Sequence, residues 1–168
     1  MITVRPERPD DAPAIRRVHE AAFPTTLEGR LVDALRDAGR LTVSLVAERD
    51  REVVGHVAFS PVTLDGAPGV TDGVGLAPVA VLPAHQRRGV GAQLVREGLA
   101  ACAAAGFVVV LGDPAYYGRF GFAPASRWGL RDEYGGGEAF QALELRSGGI
   151  PAGAGLVRYA PEFAAMEG

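Results

Sequence analysis

Residues Val79 to Gly91, VAVLPAHQRRGVG, gather the residue types of an anion cradle into one short run. A β-branched, apolar stretch meets Gln86-Arg87-Arg88-Gly89-Val90-Gly91, and a helical pattern opens at Val90. Backbone N–H groups in the first turn of a helix, here those of Val90, Gly91 and Ala92, have no intrahelical partner. They also carry the positive end of the macrodipole, so a phosphate can settle on them. Gly89 and Gly91 let it approach because neither carries a Cβ. Arg87 and Arg88 then read as charge complementarity. A Gly-x-Gly pair alone says little; a strand before it, a helix after it and Gln-Arg-Arg directly ahead make a far more specific signal.

A second segment, Gly112 to Phe122, reads GDPAYYGRFGF and sets Tyr117 four residues before Gly121-Phe122. Together the two segments resemble the acyl-CoA pyrophosphate loop and the later tyrosine motif of the GNAT N-acetyltransferase family. The wording of the second is similar to its YhbS-like bacterial subgroup. The resemblance runs from about Ile2 to Tyr159. It implies an α/β acyl-CoA N-acyltransferase fold, a mixed central sheet with helices on both faces, splayed at the cofactor strand. It further implies acetyl-CoA as co-substrate, held at the pyrophosphate by Gln86, Arg87, Arg88, Gly89, Val90, Gly91 and Ala92. Backbone groups of Val79 and Val81 would bond the pantetheine amides, and the Val79 N–H would face the thioester carbonyl. Tyr117 would protonate the departing thiolate. A phenol with a pKa of about 10 stays protonated at neutral pH and can donate to a thiolate of pKa about 8.5. The competing reading packs Tyr117 with Tyr116, Phe120 and Phe122 as core.

One role is unfilled. Some members of the family carry a base Glu four residues before the oxyanion donor, where this chain has Gly75. His56 and Ser60 share one face of their strand by alternation, and Asp72 precedes the cofactor strand. His56 is the candidate base, with a water chain to bulk solvent as the other route. Ser60, Asp72 and Trp128 are candidates for contact with the acceptor. Asp113 stands where the family often has Asn, which retains a polar contact and removes a donor.

The elements that must position these residues follow from periodicity. Ile2 to Arg5 reads as a strand, and Asp10 or Asp11 can cap a helix to about Ala22. Leu27 to Ala38 repeats the amphipathic pattern and Gly39 is a natural stop. Thr42 to Glu48 and Val53 to Leu64 are strand-like and joined as a hairpin through Arg49 to Glu52. Asp65 to Gly73 is a loop, Val74 to Leu82 a strand, Val90 to Ala105 a long helix and Phe107 to Leu111 a buried strand. Phe140 to Leu145 and Leu156 to Tyr159 are closing strands. Strand, glycine turn, helix and strand make a βαβ unit. Pro78 cannot donate to a ladder, so it either interrupts pairing by a bulge or splay or begins a shorter strand.

The chain of 168 residues suits a single domain over residues 1–168. Its net charge of -3 and pI near 5.6 give no electrostatic reason for a nucleic-acid partner. All basic side chains are Arg, and the chain has neither Lys nor Asn. Cys102, alone and on the apolar side of its helix, reads as an inert core thiol, which suits a reducing, cytoplasmic setting. No apolar run approaches a membrane span. His19, His56 and His85 show no ligand-like spacing with each other or with Cys102, so no metal is expected. A homodimer is compatible with the sequence but not specified by it.

These features point to transfer of an acetyl group from acetyl-CoA to a primary amine of a small molecule or peptide by direct attack. The rival is a non-catalytic acyl-CoA-binding sensor or interaction module, which would have no use for a phenol at the thioester sulfur. A P-loop hydrolase is excluded, since the chain has no Gly-x-x-x-x-Gly-Lys-Ser/Thr run.

Overall fold

Two residues in left-handed conformation, Asp50 (φ 50°) and Arg51 (φ 67°), close the first hairpin. Such a turn matches the right-handed twist of the strands it joins. Those strands are β2 (Val43–Arg49) and β3 (Glu52–Pro61), with Arg49 opposite Glu52 and Val46 opposite His56. The register shifts where Ala47 faces Gly55 and Glu48 faces Val53, so Val54 is the extra residue of a bulge. β1 (Thr3–Pro6) pairs antiparallel with β2 on its other edge.

The chain is known here from a computed structural model that describes residues 1–65, 72–151, 153 and 155–167. Most of the loop read from Asp65 to Gly73 lies outside the described residues. The chain forms two compact units, residues 1–60, 77–102 and 161–168 in the first and residues 61–76 and 103–160 in the second. The long strand β5 (Gly73–Val81) contributes its first residues to the second unit and its last to the first.

In the first unit, β1, β2, β3 and the end of β5 lie in that order. α1 (Ala12–Ala22) and α2 (Leu27–Asp37) bury one stripe each, Ile15 and Val18 from α1, and Leu31, Val32 and Leu35 from α2. Ile15, Val18 and Val32 join Val46, Val53 and Ala80 in one buried cluster, which fixes these helices on one face of the strands. α3 (Val90–Ala101) takes the opposite face. A Cβ on Gly55 would meet Leu94 at 3.0 Å, and a Cβ on Gly98 would lie 2.4 Å from the edge of the Phe59 ring.

Asp11 serves the entry to α1 without capping it. Its carboxylate accepts from the Arg8 N–H at 2.6 Å and from the Arg5 guanidinium at 2.7 and 3.0 Å. Hydrogen bonding to Arg5 holds Asp11 below the usual carboxylate range. Gly39 (φ 70°) ends α2 as its conformational freedom predicts.

In the second unit, β6 (Phe107–Leu111) pairs in parallel with Gly73 to Gly75 of β5, and antiparallel with β9 (Phe140–Glu144). β7 (Ala123–Pro124) adds to β9. A smaller sheet sets β10 (Leu156–Arg158) between β4 (Thr63–Leu64) and β8 (Arg131–Asp132). The sheets are mixed and mostly antiparallel. The β5–β6 ladder ends at Gly75 and Val109 while β6 runs on to Leu111 against β9, so the strand parts from β6 three residues before Pro78. The splay read from the proline is present.

Two sequence boundaries move. The run Val53 to Leu64 divides into β3 and β4, because the Val62 N–H turns to the Gly73 carbonyl at 3.1 Å. The long helix stops at Ala101, four residues early, where the Cys102 N–H is shared between the Gly98 and Leu99 carbonyls in a tightened last turn.

Gly98 is the most constrained contact of α3. Gly98→Val should destabilise the protein by about 1–3 kcal/mol through overpacking against Phe59, read as a lower urea midpoint with an unchanged slope.

Candidate active site

The cofactor strand ends at Val81, and the chain then turns through Leu82 and a single tight turn at Pro83–His85. Leu82 is tied to β3 by its N–H to the Val54 carbonyl at 2.8 Å. The Gln86 side chain folds back and donates to the Val81 carbonyl at 2.9 Å, which staples the loop to the strand end. Arg87 is left-handed (φ 65°) although it carries a side chain, and Gly89 (φ 81°) occupies the N-cap of α3. A glycine cap brings no side-chain acceptor to the helix terminus, and the first turn holds no acidic residue. The N–H groups of Val90, Gly91 and Ala92 therefore remain available to an anion. Arg87 and Arg88 are exposed beside them, and neither makes an ion pair among the described residues. Val79 and Val81 are half-buried. His85, read as solvated, is half-buried, and its Nδ1 has no hydrogen-bond partner among the described residues.

In the second unit, Asp113 caps α4 (Pro114–Tyr117), its side chain accepting from the Ala115 N–H at 3.0 Å. The acceptor role suffices there, so an Asn donor is not needed. Tyr117 follows at 8% exposure, edge-on to Tyr116 at 5.0 Å and to Phe122 at 5.8 Å. Gly112 beneath it has no room for a side chain, because a Cβ there would lie 2.4 Å from the edge of the Tyr117 ring. Burial, with a smaller contribution from Tyr116, pushes the Tyr117 phenol up to about 12. It is a proton donor and not a base at neutral pH. Tyr116 is half-buried beneath the Arg119 guanidinium, 4.5 Å from its ring centroid.

Gly75 is explained by a residue that local spacing does not reveal. A Cβ at Gly75 would lie 2.8 Å from the Tyr159 ring and 3.2 Å from Val62, so the place of a side chain is already filled. Tyr159 is buried, and burial together with Asp132 drives its phenol far above the ordinary range.

His56 corrects the sequence reading. It is 0% exposed, and both ring nitrogens are engaged, Nδ1 with His19 Nε2 at 2.8 Å and Nε2 with Ser44 Oγ at 2.8 Å. Ser44 in turn donates to the Glu7 carboxylate, which the Arg36 guanidinium clasps at 2.7 and 3.0 Å. Since Ser44 donates to Glu7, its oxygen accepts from His56 Nε2–H, which leaves His56 Nδ1 to accept from His19. Both rings are thus neutral. Burial lowers His19 to about 4, and burial followed by the neighbouring His19 lowers His56 well below the ordinary imidazole value. A ring with no accessible edge and no spare nitrogen has no direct route to an amine. Sequence spacing hid this network, whose members come from β2, β3, α1, α2 and the residue after β1.

The remaining acceptor candidates are dispersed. Ser60 is buried, and its hydroxyl has no partner among the described residues. Asp72 is bound to the Arg146 guanidinium. Trp128 is half-buried, with the Arg127 guanidinium 5.7 Å from its ring centroid. Among the described residues no three His, Cys, Asp or Glu side chains are grouped to hold a metal ion, and no helix is long and apolar enough to cross a membrane.

The first unit thus carries a phosphate-ready helix terminus at the end of β5, and the second a buried, protonated tyrosine after the Gly112-Asp113-Pro114 turn. Residues 3–125 match the Acetyltransferase (GNAT) domain family, and the chain belongs to it as an acetyl-CoA-dependent N-acetyltransferase. It is 42% identical over 164 residues to the uncharacterized N-acetyltransferase YhbS of Escherichia coli K12, covering 95% of this chain and 97% of YhbS. The uncharacterized N-acetyltransferase YjhQ of the same organism is 38% identical over 120 residues, covering 69% of this chain and 66% of YjhQ. The 1.55 Å crystal structure of E. coli YhbS in complex with CoA superposes with a TM-score of 0.91 at 40% identity, covering 97% and 92% of the two chains. A GNAT family acetyltransferase from Brucella melitensis in complex with acetyl-CoA gives 0.80 at 45% identity, covering 97% and 98%.

The buried histidines make a pH prediction. A group held neutral in the fold binds fewer protons than in the unfolded chain, so stability is full above about pH 6.5 and falls as pH drops toward the folded value. His19, lowered to about 4, should alone account for roughly 3 kcal/mol of loss across that window. Urea unfolding of the wild type at stepped pH should show this slope, and His19→Gln should flatten it.

Proposed function

We propose that this protein acetylates the neutral form of a primary amine on a small molecule or peptide by direct attack on acetyl-CoA, in the cytosol. The observation that carries the reading is the Gly89 terminus of α3, uncapped and flanked by Arg87 and Arg88, directly after a strand whose ladder has ended. The CoA pyrophosphate binds Val90, Gly91 and Ala92 N–H groups with Gln86, Arg87, Arg88 and Gly89 shaping the loop. The pantetheine amides bond the backbone of Val79 and Val81 as an added strand would. The amine nitrogen bonds to the thioester carbon, and the Val79 N–H stabilises the oxyanion. As the C–S bond breaks, Tyr117 gives its proton to the thiolate. The proton lost by the new amide nitrogen passes to solvent or restores Tyr117.

With the phenol at about 12 and a thiol of pKa about 8.5, donation to the freed thiolate would by itself be uphill, and the proton released by the acylated nitrogen has to restore the phenol as sulfur leaves. Proton transfer is therefore coupled to departure of sulfur. Gly75 brings no carboxylate and His56 is sealed, so the amine enters from the small neutral fraction present in solution, its proton released to water. Trp128 is assigned to the acceptor side on its half-buried ring, with Ser60 and Asp72 as further acceptor contacts.

Acetyl-CoA should bind and raise the melting temperature. Gly89→Val should weaken it about tenfold or more while costing the fold only about 1–2 kcal/mol, since φ 81° strains any residue with a Cβ. Calorimetry that finds undiminished affinity would refute the cradle assignment.

Tyr117→Phe should lower kcat by roughly ten- to a thousand-fold with acetyl-CoA affinity near wild type, whereas Tyr116→Phe should change little. Thiol release across a panel of amines measures both; equal effects of the two changes would remove Tyr117 from proton transfer.

A further inference from the structure

A cleft of about 490 Å³ opens in the second unit, lined by Leu130, Arg131, Asp132, Gly135, Glu138 and Phe140 among others. Its apolar floor is buried, with Leu130 at 3% and Phe140 at 2% exposure. Gly135 (φ 67°) and Gly137 (φ 59°) form wall without side chains, and a Cβ on either would meet nothing within 4 Å. Ligand atoms can therefore reach the backbone there.

Among the described residues of this unit, Asp132 is the one buried acidic side chain. Asp65, Asp72 and Glu133 in the same unit are each paired with an arginine. Asp132 is buried at 7% exposure, and its carboxylate accepts backbone N–H groups from Tyr134 at 3.3 Å and Gly136 at 2.8 Å. It has no ion-pair partner among the described residues, and neither do Arg131 and Glu138, which are exposed. A buried carboxylate is stable when an opposite charge reaches it, and two N–H bonds leave about half of its lone-pair positions free. Two carboxylates, one guanidinium and a hydrocarbon floor match a ligand that carries an ammonium, a carboxylate and an apolar body.

We propose that this cleft binds a free α-amino acid with an apolar side chain. The ammonium lies between Asp132 and Glu138, the carboxylate meets Arg131, and the side chain covers Leu130 and Phe140. Charge of both signs sets the class, since a simple amine leaves Arg131 unanswered and a simple acid leaves Asp132 so. The volume admits leucine or phenylalanine with room for water. The site stands independently of acetyl transfer, so it is tested without acetyl-CoA.

Titration calorimetry on the full chain with leucine, leucinamide and 4-methylpentanoate separates the two charges. Leucine should bind in the submillimolar range, with each analogue about tenfold weaker or more, as loss of one charge-assisted contact implies. Arg131→Gln should abolish the preference for leucine over leucinamide, and Glu138→Gln should weaken leucine about three- to tenfold. Asp132→Asn should remove binding. Because Asp132 also holds the Tyr134 to Gly136 turn, the two exposed-residue variants decide the matter if that change unfolds the protein. No heat with leucine at about 10 mM, equal binding of leucinamide and leucine by the wild type, or indifference to both exposed-residue changes would overturn the site.

Discussion

Every peptide group inside a sheet needs a partner, and β5 has β6 as one for only three residues. Past Gly75 the ladder stops, while β6 continues against β9 to Leu111. Peptide groups freed in this way must be met by water or by a ligand with its own amides. The opposite edge of the strand end stays anchored beside β3, with Leu82 tied to Val54. A fixed edge and a free edge on one strand, followed at once by a bare helix terminus, are the features on which the proposed placement of CoA rests.

Glycine serves a second purpose in this chain, as a seat for aromatic rings. Phe59 lies on Gly98, Tyr117 on Gly112, Phe107 on Gly73 and Tyr159 on Gly75. In each case a ring approaches backbone more closely than any Cβ would allow. Two of these rings are phenols, and the burial that comes with the close approach raises both of them. The packing that makes the cores dense thus also makes Tyr117 a weaker acid than a free phenol.

Local pattern carried much of this architecture. The i, i+4 pair Leu31 and Leu35, the turn at Asp50-Arg51, the stop at Gly39 and the turn from Gln86 into α3 are all short-range and present, whereas Ala34 and Ala38 of the stripe read with Leu31 and Leu35 are exposed and Val32 is buried instead. What spacing could not show depends on residues distant in the chain. Gly75 reads as a missing carboxylate until Tyr159, far downstream, is seen to occupy its place. His56 reads as a lone imidazole on a strand, though His19, Ser44 and Glu7 converge on it from other elements. The same blindness split the Val53 to Leu64 run, because the Val62 N–H is claimed by Gly73. Two-residue strands such as β7 and β8 have too few residues to register any alternation.

The ion pairs of the described residues are built on guanidinium groups, those of Arg5, Arg16, Arg36, Arg40, Arg49, Arg146 and Arg158, apart from the longer approach of His56 to Glu7. Guanidinium stays protonated throughout the pH range in which proteins work, and its nitrogens have no free lone pair to offer an acyl group. With no lysine in the sequence, none of its side chains carries an alkyl amine. An enzyme that hands acetyl groups to amines is thereby left almost nothing of its own to modify, and its surface charge is insulated from its own chemistry.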